Sequence, residues 1–154
     1  MRLPIVLEPD PRLHVVCTEA EITGETRALA ANMRDTIRAA GLGLAAPQVG
    51  HTIRLVVVNV TKLRFPFFAL FNPLITKHSL DHVADVEGCL SDPPTIKAQL
   101  RITRPRTIDV QFTTGSGVLT KIDGVSGLLA RVLQHEIDHL DGISIRDRLK
   151  AAAG

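Results

Sequence analysis

The period of the hydrophobic positions changes several times along the chain. Between Thr23 and Ala40 (TGETRALAANMRDTIRAA), Leu29, Met33, Ile37 and Ala40 recur at helical spacing among polar residues, which predicts an amphipathic helix. Thr23 is placed to cap its start, and Gly41-Leu42-Gly43 ends it. The run from Ile53 to Val60 (IRLVVVNV) is rich in β-branched residues, as in a buried strand, and another strand is expected from Phe68 to Leu74. Arg104 to Thr113 (RPRTIDVQFT) and Leu119 to Ile122 flank Gly115-Ser116-Gly117, which reads as a hairpin turn. Glu8-Pro9-Asp10-Pro11 marks an early turn. The last element expected is a helix from Ser126 to Asp141, capped by Gly142. Strands followed by a final helix predict an α+β fold, with mostly antiparallel sheets packed around a central C-terminal helix.

Composition narrows the function classes. The chain has 154 residues, enough for one domain with a real core, and no repeat or linker divides 1–154. Eighteen basic against sixteen acidic residues give +2, too balanced to suggest nucleic acid or a membrane surface as a partner. There is no Trp or Tyr and only five Phe, which argues against base-stacking platforms. The start (MRLPIVLEPDPRLHVV) lacks the apolar core of a signal peptide, and no apolar run approaches the roughly 20 residues of a membrane helix. With two cysteines in unlike contexts, Cys17 and Cys89, a reducing cytoplasmic setting is expected rather than a disulfide. Cys17, in VVCTEA, reads as a small buried apolar residue.

The candidate chemistry lies in the last helix, at Gln134-His135-Glu136-Ile137-Asp138-His139. Positions i and i+4 share a helix face, so His135 and His139 can bind one metal ion, with Glu136 beside them to take a proton from water. Leu128 and Val132 continue the histidine stripe, and Leu129, Leu133, Ile137 and Leu140 form an apolar stripe beside it, so the helix should be largely buried at the edge of an apolar groove. Ile145 occupies the place of the third histidine of metzincin proteases, and no Glu follows Glu136 as in thermolysin-like enzymes. The third ligand is therefore sought upstream, among Cys89, His78, His82, His51, His14 and several carboxylates. Cys89 stands out in Glu87-Gly88-Cys89-Leu90-Ser91, since a thiolate suits Zn or Fe(II) and Gly88 allows close backbone approach. His78 and His82 have ligand spacing, but their surroundings suggest a loop and a surface role.

Three segments, Gly41-Leu42-Gly43-Leu44-Ala45-Ala46-Pro47-Gln48, Glu87-Gly88-Cys89-Leu90-Ser91 and the histidine helix, resemble in order and spacing the three motifs of peptide deformylases. Pro9-Asp10-Pro11-Arg12-Leu13, Phe71-Asn72-Pro73 and the stretch from Leu140-Asp141-Gly142 to Asp147-Arg148-Leu149 extend the resemblance over most of the chain. It implies one divalent metal ion held by Cys89, His135 and His139, natively Fe(II), with Ni or Zn also accepted. It implies hydrolytic removal of the formyl group from N-formylmethionyl nascent peptides, releasing formate. Glu136 would act as general base, and the Gln48 amide with the Leu90 backbone N–H would hold the oxyanion. Gly41, Leu42, Gly43, Glu87, Gly88, Leu128 and Val132 would form the substrate cleft, Gly41 and Gly43 along the peptide and Leu42, Leu128 and Val132 around the methionine side chain.

The chain departs from the family pattern after the cysteine motif, where Asp92-Pro93-Pro94 replaces a hydrophobic residue, Pro and Gly. Arg146, Arg148 and Lys150 are a thin substitute for the basic C-terminal helix with which some members hold the ribosome, so ribosome docking is left open and a monomer is expected. Two competing readings are an endopeptidase, disfavoured by the cysteine motif, and a family relative that keeps the metal without turnover.

Overall fold

The computed structural model describes residues 1–96 and 99–153. In chain order its elements are α1 (Gly24–Ile37), β1 (Gly43–Ala45), β2 (Leu55–Val58), α2 (Val60–Leu63), β3 (Ala69–His78), β4 (His82–Glu87), β5 (Leu100–Pro105), β6 (Ile108–Thr113), β7 (Leu119–Val125), α3 (Gly127–Leu140) and α4 (Ile145–Ala153). Single turns of 3-10 helix occupy Pro11–His14 and Ala46–Val49. Five strands form an antiparallel sheet in the order β1-β2-β3-β6-β7, and β4 pairs antiparallel with β5 in a separate ribbon. This is the α+β architecture expected.

The unbroken apolar run of β2 has a simple cause: both its faces are covered. Val56 and Val58 pack with Ala130, Val132, Leu133, Ile137 and Leu140 of α3. Leu55 and Val57, pointing the other way, pack with Leu29, Ala30, Met33 and Ile37 of α1. The sheet thus lies between two helices, and α3 is held against the strands that carry the glycine motif. Phe112 closes the α3 side, its ring centroid 5.5 Å from that of Phe67 and 6.2 Å from that of Phe65.

Helix boundaries follow local chemistry. Thr23 caps α1, its side chain accepting from the Thr26 N–H at 3.2 Å. Leu29, Met33 and Ile37 are buried as expected, but Ala40 lies beyond the helix end and is exposed. Gly142 follows α3 at φ 72°, where a Cβ would meet the His14 carbonyl carbon at 2.8 Å, so the turn that ends the helix needs glycine.

Several expectations change. The run 104–113 is two strands: β5 ends at Pro105, and Arg106 and Thr107 are anchored back on the β3–β4 loop by Arg106 N–H to the Asp81 carbonyl and Thr107 N–H to Ser79 Oγ. The strand expected from Ile53 to Val60 is regular only over Leu55–Val58, because α2 begins at Val60. β3 extends four residues past Leu74, to His78. Ribbon β4–β5 was not anticipated. α3 is not the last element, since α4 follows it and packs on β5.

Candidate metal and active site

Helix α3 begins at the surface and ends in the interior. Leu128 is 53% exposed, whereas every residue from Ala130 to Leu140 is buried. Eleven buried residues span three turns and so cover every face, including Arg131, Gln134, His135, Glu136, Asp138 and His139. Polar groups at this depth need partners, and the partners define the site.

His135 and His139, one turn apart, point toward each other with Nε2 atoms 3.2 Å apart. Cys89, in the turn after β4, brings its Sγ to 3.4 Å from His139 Nε2. One ligand atom from each of the three residues lies within 4.8 Å of the others, and all three residues are buried. A thiolate and two imidazoles form a donor set suited to a divalent transition metal, with room for a further ligand on the open side. His135 Nδ1 is bonded to Glu87 Oε1 at 2.9 Å, which leaves Nε2 facing the cluster. Burial, and then His135 beside it, hold His139 well below the ordinary imidazole range, which favours the neutral form a ligand needs. Without a metal, His135 is by contrast raised to about 10 despite its burial, by Cys89, Glu136 and Glu87. His78 and His82 end one strand and begin the next, outside this cluster.

Glu136 lies next to this group, and burial pushes its carboxyl up to about 7. Among the described residues its Oε2 is buried without a hydrogen-bond partner. An unsatisfied carboxylate oxygen beside two imidazoles and a thiol fits a site that takes a cation and a polar ligand.

Gln48 comes from the 3-10 turn that follows β1 and is 1% exposed. Its Oε1 accepts from the Ala45 N–H at 2.9 Å, so the amide nitrogen must point the other way, 3.6 Å from Cys89 Sγ and 3.2 Å from Ser91 Oγ. The expected buried loop is therefore a short strand and a turn, holding one oriented donor at the cluster. Leu90 N–H makes no hydrogen bond to any of the described residues.

A cleft of about 360 Å³ opens over these groups. Its lining includes Gly41, Leu42, Gly43, Leu128 and Val132, the Glu87–Leu90 stretch, and Gln48, His135 and Glu136. All the residues expected in the site line it except His139, which is 1% exposed and reaches the cluster only through Nε2.

Glu87 is engaged more heavily than a substrate contact would be. Arg104 donates to both its oxygens, at 2.6 and 2.9 Å, Arg131 donates to Oε2 at 2.6 Å, and His135 shares Oε1. Burial opposes its charge, but Arg104 and His135 prevail and hold the carboxyl down at about 2. Arg131 also donates to the carbonyls of Ile102 and Val83, tying α3 to the β4–β5 ribbon. Arg104 reaches on to Asp138, which Arg148 grips from α4. Sequence reasoning missed Arg104, Arg131 and Asp138. For Arg131 and Asp138 the available signal was charge at helix positions in register with the buried stripe; Arg104, on β5, had no such signal.

Comparison with known proteins agrees with this geometry. The family model for polypeptide deformylase matches residues 2–153. A peptide deformylase of Treponema pallidum is 43% identical over 131 residues, covering 84% of this chain and 76% of that protein. The crystal structure of peptide deformylase from Thermotoga maritima superposes with a TM-score of 0.87 at 32% identity, covering 96% of this chain and 97% of that one. A class I type b peptide deformylase from Acinetobacter baumannii, crystallised with Met-Ala-Ser, gives 0.84 at 28% identity, covering 96% and 98%.

Proposed function

The chain belongs to the polypeptide deformylase family, and from that premise we propose that it hydrolyses the formyl amide at the N-terminus of nascent polypeptides with the groups gathered around Cys89, His135 and His139. The reaction removes the formyl group from N-terminal formylmethionine and releases formate. The observation that carries the reading is the convergence of a buried thiol, two imidazoles, an unsatisfied carboxylate and an oriented amide donor at one end of an apolar cleft.

A divalent ion held by Cys89 Sγ, His135 Nε2 and His139 Nε2 would supply Lewis acidity to the reacting water and carbonyl; Fe(II) is the native ion we propose, with Ni or Zn as substitutes. Glu136 takes a proton from the attacking water and returns it to the leaving amine as the C–N bond breaks. Burial raises its pKa, which suits a group that must both accept and donate a proton. The Gln48 side-chain N–H and the Leu90 backbone N–H donate to the oxygen that gains charge on the formyl carbon. Gly41 and Gly43 run along the peptide backbone, and Leu42, Leu128 and Val132 receive the methionine side chain. Glu87 is a positioning residue for His135 in this account. Gly88 gives the cysteine turn a backbone with no side chain on the cleft.

The Met-Ala-Ser bound to the Acinetobacter baumannii enzyme supports the same class of peptide here. A single chain supplies all these groups, which supports action as a monomer. Among the described residues no helix is long and apolar enough to cross a membrane, and with the balanced charge this supports a cytoplasmic enzyme acting on nascent chains rather than on nucleic acid. Arg146 and Arg148 of α4 are occupied with Asp92 and Asp138. Ribosome docking through them is no part of the proposal.

The test is formate release from formyl-Met-Ala-Ser by protein loaded with Fe(II) or Ni under low oxygen. Release of formate with no cleavage of casein is expected. The opposite pattern would favour an endopeptidase.

A further inference from the structure

Arg148 lies on α4, the last helix, and its side chain is 46% exposed. Its guanidinium nonetheless faces inward and grips Asp138 at two points, Nε to Oδ2 at 2.9 Å and Nη2 to Oδ1 at 2.5 Å. Asp138 sits on α3 between the two histidines of the cluster and is 7% exposed. Its Oδ2 also accepts from Arg104 Nη1 at 2.8 Å. The other side of the Arg104 fork holds Glu87, and Glu87 Oε1 holds His135 Nδ1. Charges therefore alternate without interruption from α4 to the imidazole: Arg148, Asp138, Arg104, Glu87, His135.

We propose that Arg148 is a positioning residue for the metal centre, setting the orientation of His135 through Asp138, Arg104 and Glu87. The inference rests on the reading of Cys89, His135 and His139 as metal ligands. Its physical basis is competition for one guanidinium. Arg104 has a planar fork divided between two buried carboxylates. While Arg148 satisfies Asp138, Arg104 can give Nε and Nη2 wholly to Glu87. Without Arg148, Asp138 keeps only Arg104 as a cationic partner among the described residues, and a buried carboxylate in that state draws its remaining partner toward itself. Glu87 then loses part of its two-point hold and with it the geometry that aims His135 Nε2 at the cluster. Arg131 still anchors Glu87 Oε2 but not Oε1, the oxygen that meets the histidine.

The experiment follows loss of Co(II) to an excess of chelator in the full-length protein, beside kcat and KM on formyl-Met-Ala-Ser. Arg148→Met keeps the aliphatic stem and is expected to release the ion about tenfold faster than the parent, with lower kcat and unchanged KM. Arg148→Lys, which keeps the charge without the two-point grip, is expected to recover part of the difference. Arg106→Met is the control: it breaks an exposed ion pair with Asp81, 2.7 Å in length, that leads to no ligand among the described residues. Parent-like release and kcat in Arg148→Met, even with a lower Tm, would overturn the proposal. If Arg148→Met does not fold, parent-like release in folded Arg148→Gln, which also lacks the charge, would overturn it equally. Absence of formate release from the parent would strike the functional reading instead, and leave the metal-release comparison standing.

Discussion

A Cβ added to Gly43 would lie 2.8 Å from both Cγ and Oε1 of Glu136. The strand that borders the cleft and the helix that carries Glu136 are therefore in backbone-to-side-chain contact, with Val132 Cγ1 at 2.9 Å from the same point. Glycine at this position was expected to serve the substrate backbone. The structure gives it a second duty, leaving room for the carboxylate.

Gly43→Ala should accordingly displace Glu136 while leaving the three ligand residues alone. A shift of the order of 1 Å at a catalytic group costs roughly a hundredfold in rate, so kcat should fall by about that factor. Metal content, measured by elemental analysis, should match the parent. Parent-like kcat would show that Glu136 has slack the contact distances deny.

Gln48 is oriented from both ends of its amide, Oε1 accepting from the Ala45 N–H and Nε2 donating to Ser91 Oγ. Gln48→Ala removes the donor, and loss of one oxyanion donor typically costs about a hundred- to a thousandfold in kcat. Steady-state kinetics on formyl-Met-Ala-Ser should show the loss in kcat with little change in KM. A change confined to KM would place Gln48 in ground-state binding instead.

Cys89→Ala should abolish metal retention, because two imidazoles alone are a poor cage for a divalent ion. Elemental analysis after dialysis is the check. A stoichiometric ion in the variant would remove Cys89 from the ligand set. In the parent loaded with Fe(II), exposure to air should also destroy activity faster than in the Ni form, since thiolate and ferrous iron are both oxidisable.

Arg104→Met leaves Glu87 and Asp138, both 7% exposed, short of their shared partner. Breaking a buried pair from one side costs about 3–5 kcal/mol. Urea unfolding of the metal-free protein should show a loss of that size. An effect below about 1 kcal/mol would mean that Arg131 and Arg148 carry both carboxylates between them.

What could be read in advance was local. His135, Glu136 and His139 announce themselves by spacing on one helix, and the helix periodicity of α1 and the β-branched run of β2 depend on neighbours in sequence. Cys89 stood out by its glycine-flanked setting and thiolate chemistry, and Gln48 was legible through the resemblance its motif bears to a family. Arg104, Arg131, Asp138 and Arg148 were not, because each draws its meaning from a partner 10 to 44 residues away. β4 escaped notice because His82, Asp85 and Val86 are exposed and its alternation is weak. α4 escaped because IRDRLKAAA has a single strongly buried side chain among its described residues, Ile145, to mark an inner face. Arg104 to Thr113 passed for one strand because the break at Arg106 and Thr107 is imposed by Asp81 and Ser79, on another loop.

The most direct test of the whole account is formate release from formyl-Met-Ala-Ser by the parent and by Glu136→Gln, each carrying the same measured metal content. The account predicts turnover in the parent and its near-complete loss in the variant with the metal retained. Formate release by Glu136→Gln at the parent's rate would contradict it.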